Sequence, residues 1–209
     1  MTLAAAFMQP PCVGSAMSVR EVAIQAYREA LPALGASLVG GLVAGAVLGG
    51  MRAELQQVPG LLVLVPDLLA TRGNVYGSLG ARIATALHQG LVVPRISEAD
   101  RRLGAAVAAA LGNGILASLF AATAAFLVLT LLGWTVAPLP TLLGIALVAG
   151  VLSGTVLTVV VVTVVFAGYR RGYNPDTLVG PVVTTTGDVF GILFLLIAVR
   201  TVLAVGGLP

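Results

Sequence analysis

The chain has 209 residues, of which 58% are hydrophobic and 9% are charged. Because soluble domains carry about 25% charged residues, this composition excludes an ordinary soluble protein and predicts an all-α integral membrane protein. The net charge of +3 reflects 11 arginines and no lysine. These arginines lie between apolar stretches, so we interpret them as signals of membrane topology and expect no nucleic-acid partner.

The N-terminal segment, residues 1–17, has no positively charged start, and its apolar run is too short to cross a bilayer. We therefore predict a flexible tail and no cleaved signal peptide. Ser18 and Glu21 have the spacing of a helix capping box, which predicts a short helix on the membrane surface that ends where Pro32 begins the first span. Residues 18–209 are predicted to form a single transmembrane domain.

Five transmembrane helices per chain are predicted from the apolar stretches, at residues 31–50, 60–90, 103–132, 141–168 and 177–204. The first span carries small residues at four-residue spacing, namely Ser37, Gly41, Gly45 and Gly49. In lipid such a ridge lets two helix backbones approach closely. We favour a contact within the chain's own bundle, with a contact between subunits as the alternative.

The second predicted span is unusual because it carries a polar face. Its polar residues follow one another at steps of three or four, which places them on one side of a helix: Asp67, Thr71, Asn74, Ser78, Arg82 and Thr85. Such a face requires water, protein or an ion. Asp67 is either a direct ion ligand or an internal partner of Arg72 or Arg82. His88, the single histidine, lies near the end of this span, and we interpret it as an interfacial side chain in preference to a metal ligand.

Arginine positions orient the predicted bundle. One side has Arg20, Arg28, Arg95, Arg101, Arg102, Arg170 and Arg171, and the other has Arg52 and Arg200. Loops rich in arginine stay in the cytoplasm. We therefore predict a multi-pass protein of the plasma membrane with a cytoplasmic N-terminus and a C-terminus outside.

Asp188 lies at the centre of the fifth predicted span, in the middle of the 23 residues 177–199. It is about 17 Å from either end, at the membrane midplane. An ionisable group there costs at least about 2.5–3.5 kcal/mol, so it marks an ion or proton path. The same helical face holds Pro181, Thr184, Thr185 and Gly191. Carboxylate and hydroxyl oxygens suit a hard cation such as Mg²⁺, which keeps several waters and needs few acids.

Residues 65–90 and 174–191 together resemble the membrane domain of MgtE-type magnesium transporters and their eukaryotic solute-carrier relatives. The first stretch has a proline followed by Gly73 and Asn74, and the second has a Pro-Val-Thr-Thr-x-x-Asp pattern that ends at Asp188. The resemblance implies a homodimer whose pore lies on the two-fold axis, lined by the second and fifth helices. It also implies that Asp188 binds the cation and that Asn74 faces the pore.

Two features depart from that family pattern. No stretch of this sequence resembles the cytosolic regulatory modules of bacterial MgtE, so we do not expect the magnesium-sensing gate that the resemblance would imply. In addition, Arg72 stands where a glycine is more usual. Its charge would repel divalent ions unless the side chain points toward Asp67 or toward lipid headgroups.

Together these patterns predict a homodimeric transporter or channel for divalent cations, most of all Mg²⁺, with Mn²⁺, Ca²⁺ or Co²⁺ also suited to oxygen ligands. Its predicted metal site comprises Asp188, Asn74, Thr184, Thr185 and Asp67. Two copies of Asp188 would repel each other unless a cation lies between them. The alternatives are a proton- or Na⁺-coupled carrier, with Asp67 and Arg72 as the coupling pair, and a structural membrane subunit. No Ser/His pairing or paired acids typical of an enzyme occur.

Overall fold

The computed structural model describes residues 19–93, 101–171 and 175–206. These residues form the helices α1 (Val19–Gly50), α2 (Arg52–Gln57), α3 (Leu61–His88), α4 (Arg101–Leu131), α5 (Leu139–Arg170) and α6 (Pro175–Gly206). The all-α prediction is confirmed for this part of the chain. The ends of α3 to α6 differ from the predicted second to fifth spans by at most two residues. The predicted tail and Ser18 lie outside the described residues.

Among the described residues, three helices are long and apolar enough to cross a membrane: α4, α5 and the Val179–Gly206 part of α6. α1 has a shorter apolar stretch, Leu34–Gly50. α3 is about 42 Å long at 1.5 Å per residue, which exceeds the roughly 30 Å hydrocarbon core, but its polar face lowers its hydropathy. The chain is thus a membrane protein, and the total of five spans stays a prediction.

The predicted surface helix is not a separate element, and in this respect the prediction is wrong. α1 is unbroken from Val19 through Pro32 to Gly50. A proline inside a helix removes one N–H donor and clashes with the preceding turn, but membrane helices tolerate this. With 32 residues, α1 is about 48 Å long. One helix therefore accommodates both the polar start and the apolar stretch.

α6 connects α1 to the rest of the bundle. It packs against α1, α3 and α5, whereas α4 packs against α3 and α5. At one end of the bundle, Arg200 Nε of α6 donates a hydrogen bond to Glu54 Oε1 of α2 over 2.9 Å. At the other end, the Tyr169 hydroxyl of α5 donates to the Leu87 carbonyl of α3 over 3.3 Å. α1 and α6 therefore run in the same direction, and α3 and α5 run opposite to them.

α1 packs on α6 through a row of residues that the sequence did not single out. Gly40 faces the Thr185 side chain of α6 so closely that a Cβ at this position would collide with it, and Ala44 is 6% exposed. The predicted ridge lies beside this row and faces open space at Gly41, Gly45 and Gly49. The favoured contact within the bundle is therefore not made by these glycines. Adjacent rows on a helix look alike in sequence, and only packing selects one of them.

Candidate cation site

The polar face of α3 points away from the core of the chain. Thr71 is half-buried, and the exposed members are Asp67, Asn74, Ser78, Arg82 and Thr85. On the inner side of the same helix, Leu68, Tyr76 and Leu79 are no more than 2% exposed. Burial of these large side chains orients α3, so its polar groups lie on the outer surface of a single chain.

Part of this face borders a cavity of about 180 Å³ between α3 and α4. Asn74, Ser78 and Arg82 line it from α3, and Asn113 lines it from α4 beside three alanines. Since a water molecule takes up about 30 Å³, the cavity has room for several. Sequence reasoning missed Asn113, although an amide between two glycines in an apolar span is a signal that could have found it.

Asp188 lies on α6 between positions that contact two different helices. One turn before it, Thr185 faces Gly40 of α1, and one turn after it, Gly191 faces Arg72 of α3. α1 and α3 both pack on α6 and hardly on each other. Asp188 is half-buried and has no hydrogen bond or ion pair with any described residue. Its position on α6 therefore places it at the cleft between α1 and α3.

Two hydroxyls accompany Asp188 on α6. Thr184 Oγ1 donates to the Gly180 carbonyl over 2.9 Å, and Thr185 Oγ1 donates to the Pro181 carbonyl over 2.8 Å. Each hydroxyl uses its single hydrogen within the helix, so the lone pairs of its oxygen stay available to a cation. The α6 face can thus offer one carboxylate and two hydroxyl oxygens.

Residues 65–198 match the family described as MgtE divalent cation transporters. The chain belongs to this family. The matched stretch runs from α3 into α6 and contains both polar faces. The motif resemblance noted in the sequence is therefore confirmed.

One relative of this MgtE-family chain is solute carrier family 41 member 3 of Rattus norvegicus. The two are 26% identical over 165 residues, which is 76% of this chain and 35% of the relative. The chain thus spans about a third of the length of the relative it matches. The family that matches this chain is one of divalent cation transporters.

In this MgtE-family chain, the arginine that departs from the family pattern is buried. Arg72 is 4% exposed, and its Nε donates a hydrogen bond to Ser153 Oγ of α5 over 2.7 Å. The Ser153 hydroxyl donates its own hydrogen to the Ala149 carbonyl. Arg72 Nη2 has no hydrogen-bond partner among the residues that the structure describes. The side chain lies among α3, α5 and α6, so it takes neither of the two directions that the sequence left open, toward Asp67 or toward lipid headgroups.

The other polar residues of the second predicted span do not pair with one another in the described structure. Asp67 is exposed and forms no ion pair with Arg72 or Arg82. The internal pairing that the sequence left open is therefore not found, because helix packing turns Arg72 inward and Asp67 outward. His88 Nδ1 lies 2.8 Å from the Ala84 carbonyl, and its ring meets Tyr169 edge-on at 5.6 Å between centroids. These contacts support the interfacial interpretation of His88.

One chain does not assemble a multidentate acidic site. The described residues contain no group of three or more His, Cys, Asp or Glu side chains placed to hold a metal ion. Asp188 and Asp67 lie on different helices, and neither belongs to such a group. Any cation that binds Asp188 must complete its coordination with hydroxyl, amide, carbonyl or water oxygens, or with a second chain.

Proposed function

We propose that this chain moves divalent cations, Mg²⁺ foremost, across a membrane as a homodimer with Asp188 as the cation ligand. The position of Asp188 is the observation that carries the proposal. It is a carboxylate without a partner among the described residues, in the middle of a membrane-length helix, at a cleft on the outer surface of the chain. Family membership supports the cargo class.

We propose a dimer because one chain supplies few ligands to a divalent cation. A divalent cation held by one carboxylate is weakly coordinated, whereas a two-fold axis beside the cleft would bring two copies of Asp188 together. A cation between them would relieve the repulsion of the like charges. Thr184 and Thr185 would add hydroxyl oxygens, and waters kept by Mg²⁺ would fill the remaining positions.

α3 and α6 of each protomer are the proposed pore-lining helices. They pack against each other, and α3 turns Asn74 and Asp67 to the outer surface. Asn74 is the proposed second pore residue, and Asp67, two turns nearer the Glu54 end, is a further candidate ligand. Gly73 and Gly77 have open space where a Cβ would stand, which suits the close approach of a second copy.

Charge at the two ends of the bundle supports an orientation in the plasma membrane. The end where α3 and α5 finish has Arg101, Arg102, Arg170 and Arg171, and the other end has Arg52 and Arg200. Arg200 is moreover paired with Glu54. We place the basic end, where α1 begins, in the cytoplasm and the end of α6 outside.

The test is divalent cation flux into liposomes that contain only this purified chain. We expect Mg²⁺ influx for the wild type and, for Asp188→Asn, influx no faster than in protein-free liposomes. Glu54→Gln is the matched control, since it removes a carboxylate at the end of the bundle, and it should keep the wild-type rate. Undiminished flux in Asp188→Asn, with intact insertion, would sink the assignment.

The same liposomes separate the remaining alternatives. A proton- or Na⁺-coupled carrier predicts flux that follows an imposed pH or Na⁺ gradient, whereas a channel predicts flux that follows membrane potential. A structural subunit predicts no flux of Mg²⁺, Mn²⁺, Ca²⁺ or Co²⁺ for the wild type. Chemical crosslinking in the membrane, followed by mass measurement, tests the homodimer independently.

A further inference from the structure

A charged group without a counter-ion is buried next to the proposed cation ligand. Arg72 is 4% exposed, and its one hydrogen bond to a described residue is donated by Nε to Ser153 Oγ. A guanidinium has five N–H donors, and Nη2 has no partner here. Burial of a cation in a low-dielectric interior is unfavourable unless an anion compensates it. The position of Arg72 therefore calls for an acid within reach.

Among the described acidic side chains, Asp188 is the one that lies a single helical turn from a residue against which Arg72 packs, Gly191. Glu54 is paired with Arg200 at the end of the bundle, and Asp67 lies on the exposed side of α3. By contrast, Arg72 Nη1 lies 2.9 Å from the place where a Cβ of residue 191 would stand.

The distance along α6 from Gly191 to Asp188 is short. It is one helical turn, about 4.5 Å along α6. The glycine leaves the space through which the guanidinium can pass, since a side chain at position 191 would occupy it. A change of arginine rotamers that covers this distance requires no movement of a helix.

We propose that Arg72 is the internal counter-ion of Asp188, a proposal that rests on Asp188 being the cation ligand. The guanidinium pairs with the carboxylate when the site holds no ion, and it withdraws to Ser153 when a divalent cation binds. The divalent cation thus competes with the Arg72 guanidinium for the Asp188 carboxylate. Arg72 lowers the affinity of the site, which favours release and rapid passage of the ion.

A stability measurement without any cation tests the pairing itself. In detergent with a chelator, thermal midpoints are compared for the wild type, Arg72→Gln, Asp188→Asn and the double variant. We expect the change caused by Asp188→Asn in the wild type to shrink by more than half in the Arg72→Gln background. Midpoint shifts that add would overturn the pairing, whatever the chain transports.

A binding measurement tests the competition, because two substitutions should act in opposite directions. Arg72→Gln removes the competing charge and should tighten Mg²⁺ binding, measured by calorimetry, about tenfold or more. Ser153→Ala keeps the charge but removes the hydrogen bond that holds Arg72 away from Asp188. It should weaken Mg²⁺ binding severalfold.

The control is Arg52→Gln, which removes one exposed positive charge at the end of the bundle and should change affinity less than about twofold. If Arg72 and Ser153 were only structural, both substitutions would weaken binding together, and that result would overturn the proposal. Ser153→Ala, which removes a single oxygen, keeps the test decisive if Arg72→Gln fails to fold. Absence of Mg²⁺ binding in the wild type would contradict the proposed function, whereas the cation-free comparison would still decide the pairing.

Discussion

Tyr76 packs on the inner side of α3, and this packing can be tested by adding one methyl group at a glycine that the Tyr76 hydroxyl faces. Tyr76 is 2% exposed, and its hydroxyl lies against Gly114 of α4 and Gly154 of α5. A Cβ at position 154 would overlap the Tyr76 hydroxyl oxygen. It would lie 3.3 Å from the ring carbon that bears the hydroxyl. Gly154→Ala is therefore an overpacking substitution, because the new methyl group would collide with the Tyr76 hydroxyl oxygen.

The magnitude follows from two opposing effects. Overpacking costs about 1–3 kcal/mol, and replacing a helical glycine by alanine returns about 0.5–1 kcal/mol. We expect Gly154→Ala to destabilise the wild type by about 1–2 kcal/mol. In a Tyr76→Phe background the overlapping oxygen is absent and the contact at 3.3 Å requires only a small adjustment. There the same substitution should be neutral, or stabilising by up to about 1 kcal/mol.

The assay is a double-mutant cycle of unfolding free energies in detergent, with Gly112→Ala as the control. Gly112 lies on α4, and a Cβ there would meet no atom within 4 Å, so its substitution should act alike in both backgrounds. If Gly154→Ala destabilised the wild type and the Tyr76→Phe variant equally, the Tyr76 hydroxyl oxygen would not be what occupies the space beside Gly154, and the reasoning would be refuted.

Two further predictions concern the bundle end and the pore. The pKa of Glu54 lies below its ordinary value, because its own backbone N–H and then Arg200 stabilise the carboxylate. The pair thus stabilises the protein above that ordinary pKa and loses its effect as pH falls through the lowered pKa, so Glu54→Gln should lower the thermal midpoint more at pH 7 than at acid pH. A pH-independent difference would contradict this. Asn74→Ala should slow Mg²⁺ flux less than Asp188→Asn does, since an amide contributes a dipole and a carboxylate a full charge; the reverse order would show that the sites are ranked wrongly.

Local patterns predicted much of the architecture. Apolar length and polar flanks placed the ends of α3 to α6 within two residues, because a helix in lipid must satisfy its own backbone and match the bilayer thickness. The spacing of Asp67, Asn74 and Ser78 predicted a shared face, and these residues are exposed together. The proline, Gly-Asn and Thr-Thr-x-x-Asp patterns indicated the MgtE family.

The unbroken course of α1 and the role of Asn113 were not predictable in the same way. Pro32 is a helix breaker in many contexts, but a membrane helix retains its other backbone hydrogen bonds across it. Asn113 has a sequence signal of its own, but its place in the same cavity as Asn74 is decided only by the packing of α4 beside α3.

The sequence by itself thus determined the membrane class, the bounds of α3 to α6, the family and the presence of a carboxylate in the middle of the last apolar stretch, since each depends on composition, length or local order. Tertiary structure alone decided which side of each helix faces its neighbours. It turned Arg72 inward to Ser153, 81 residues away, and joined Glu54 to Arg200, 146 residues away. The physical reason is that helical periodicity determines which residues share a face of a helix. Which neighbouring helix that face contacts is decided by the close packing of bulky side chains against glycines.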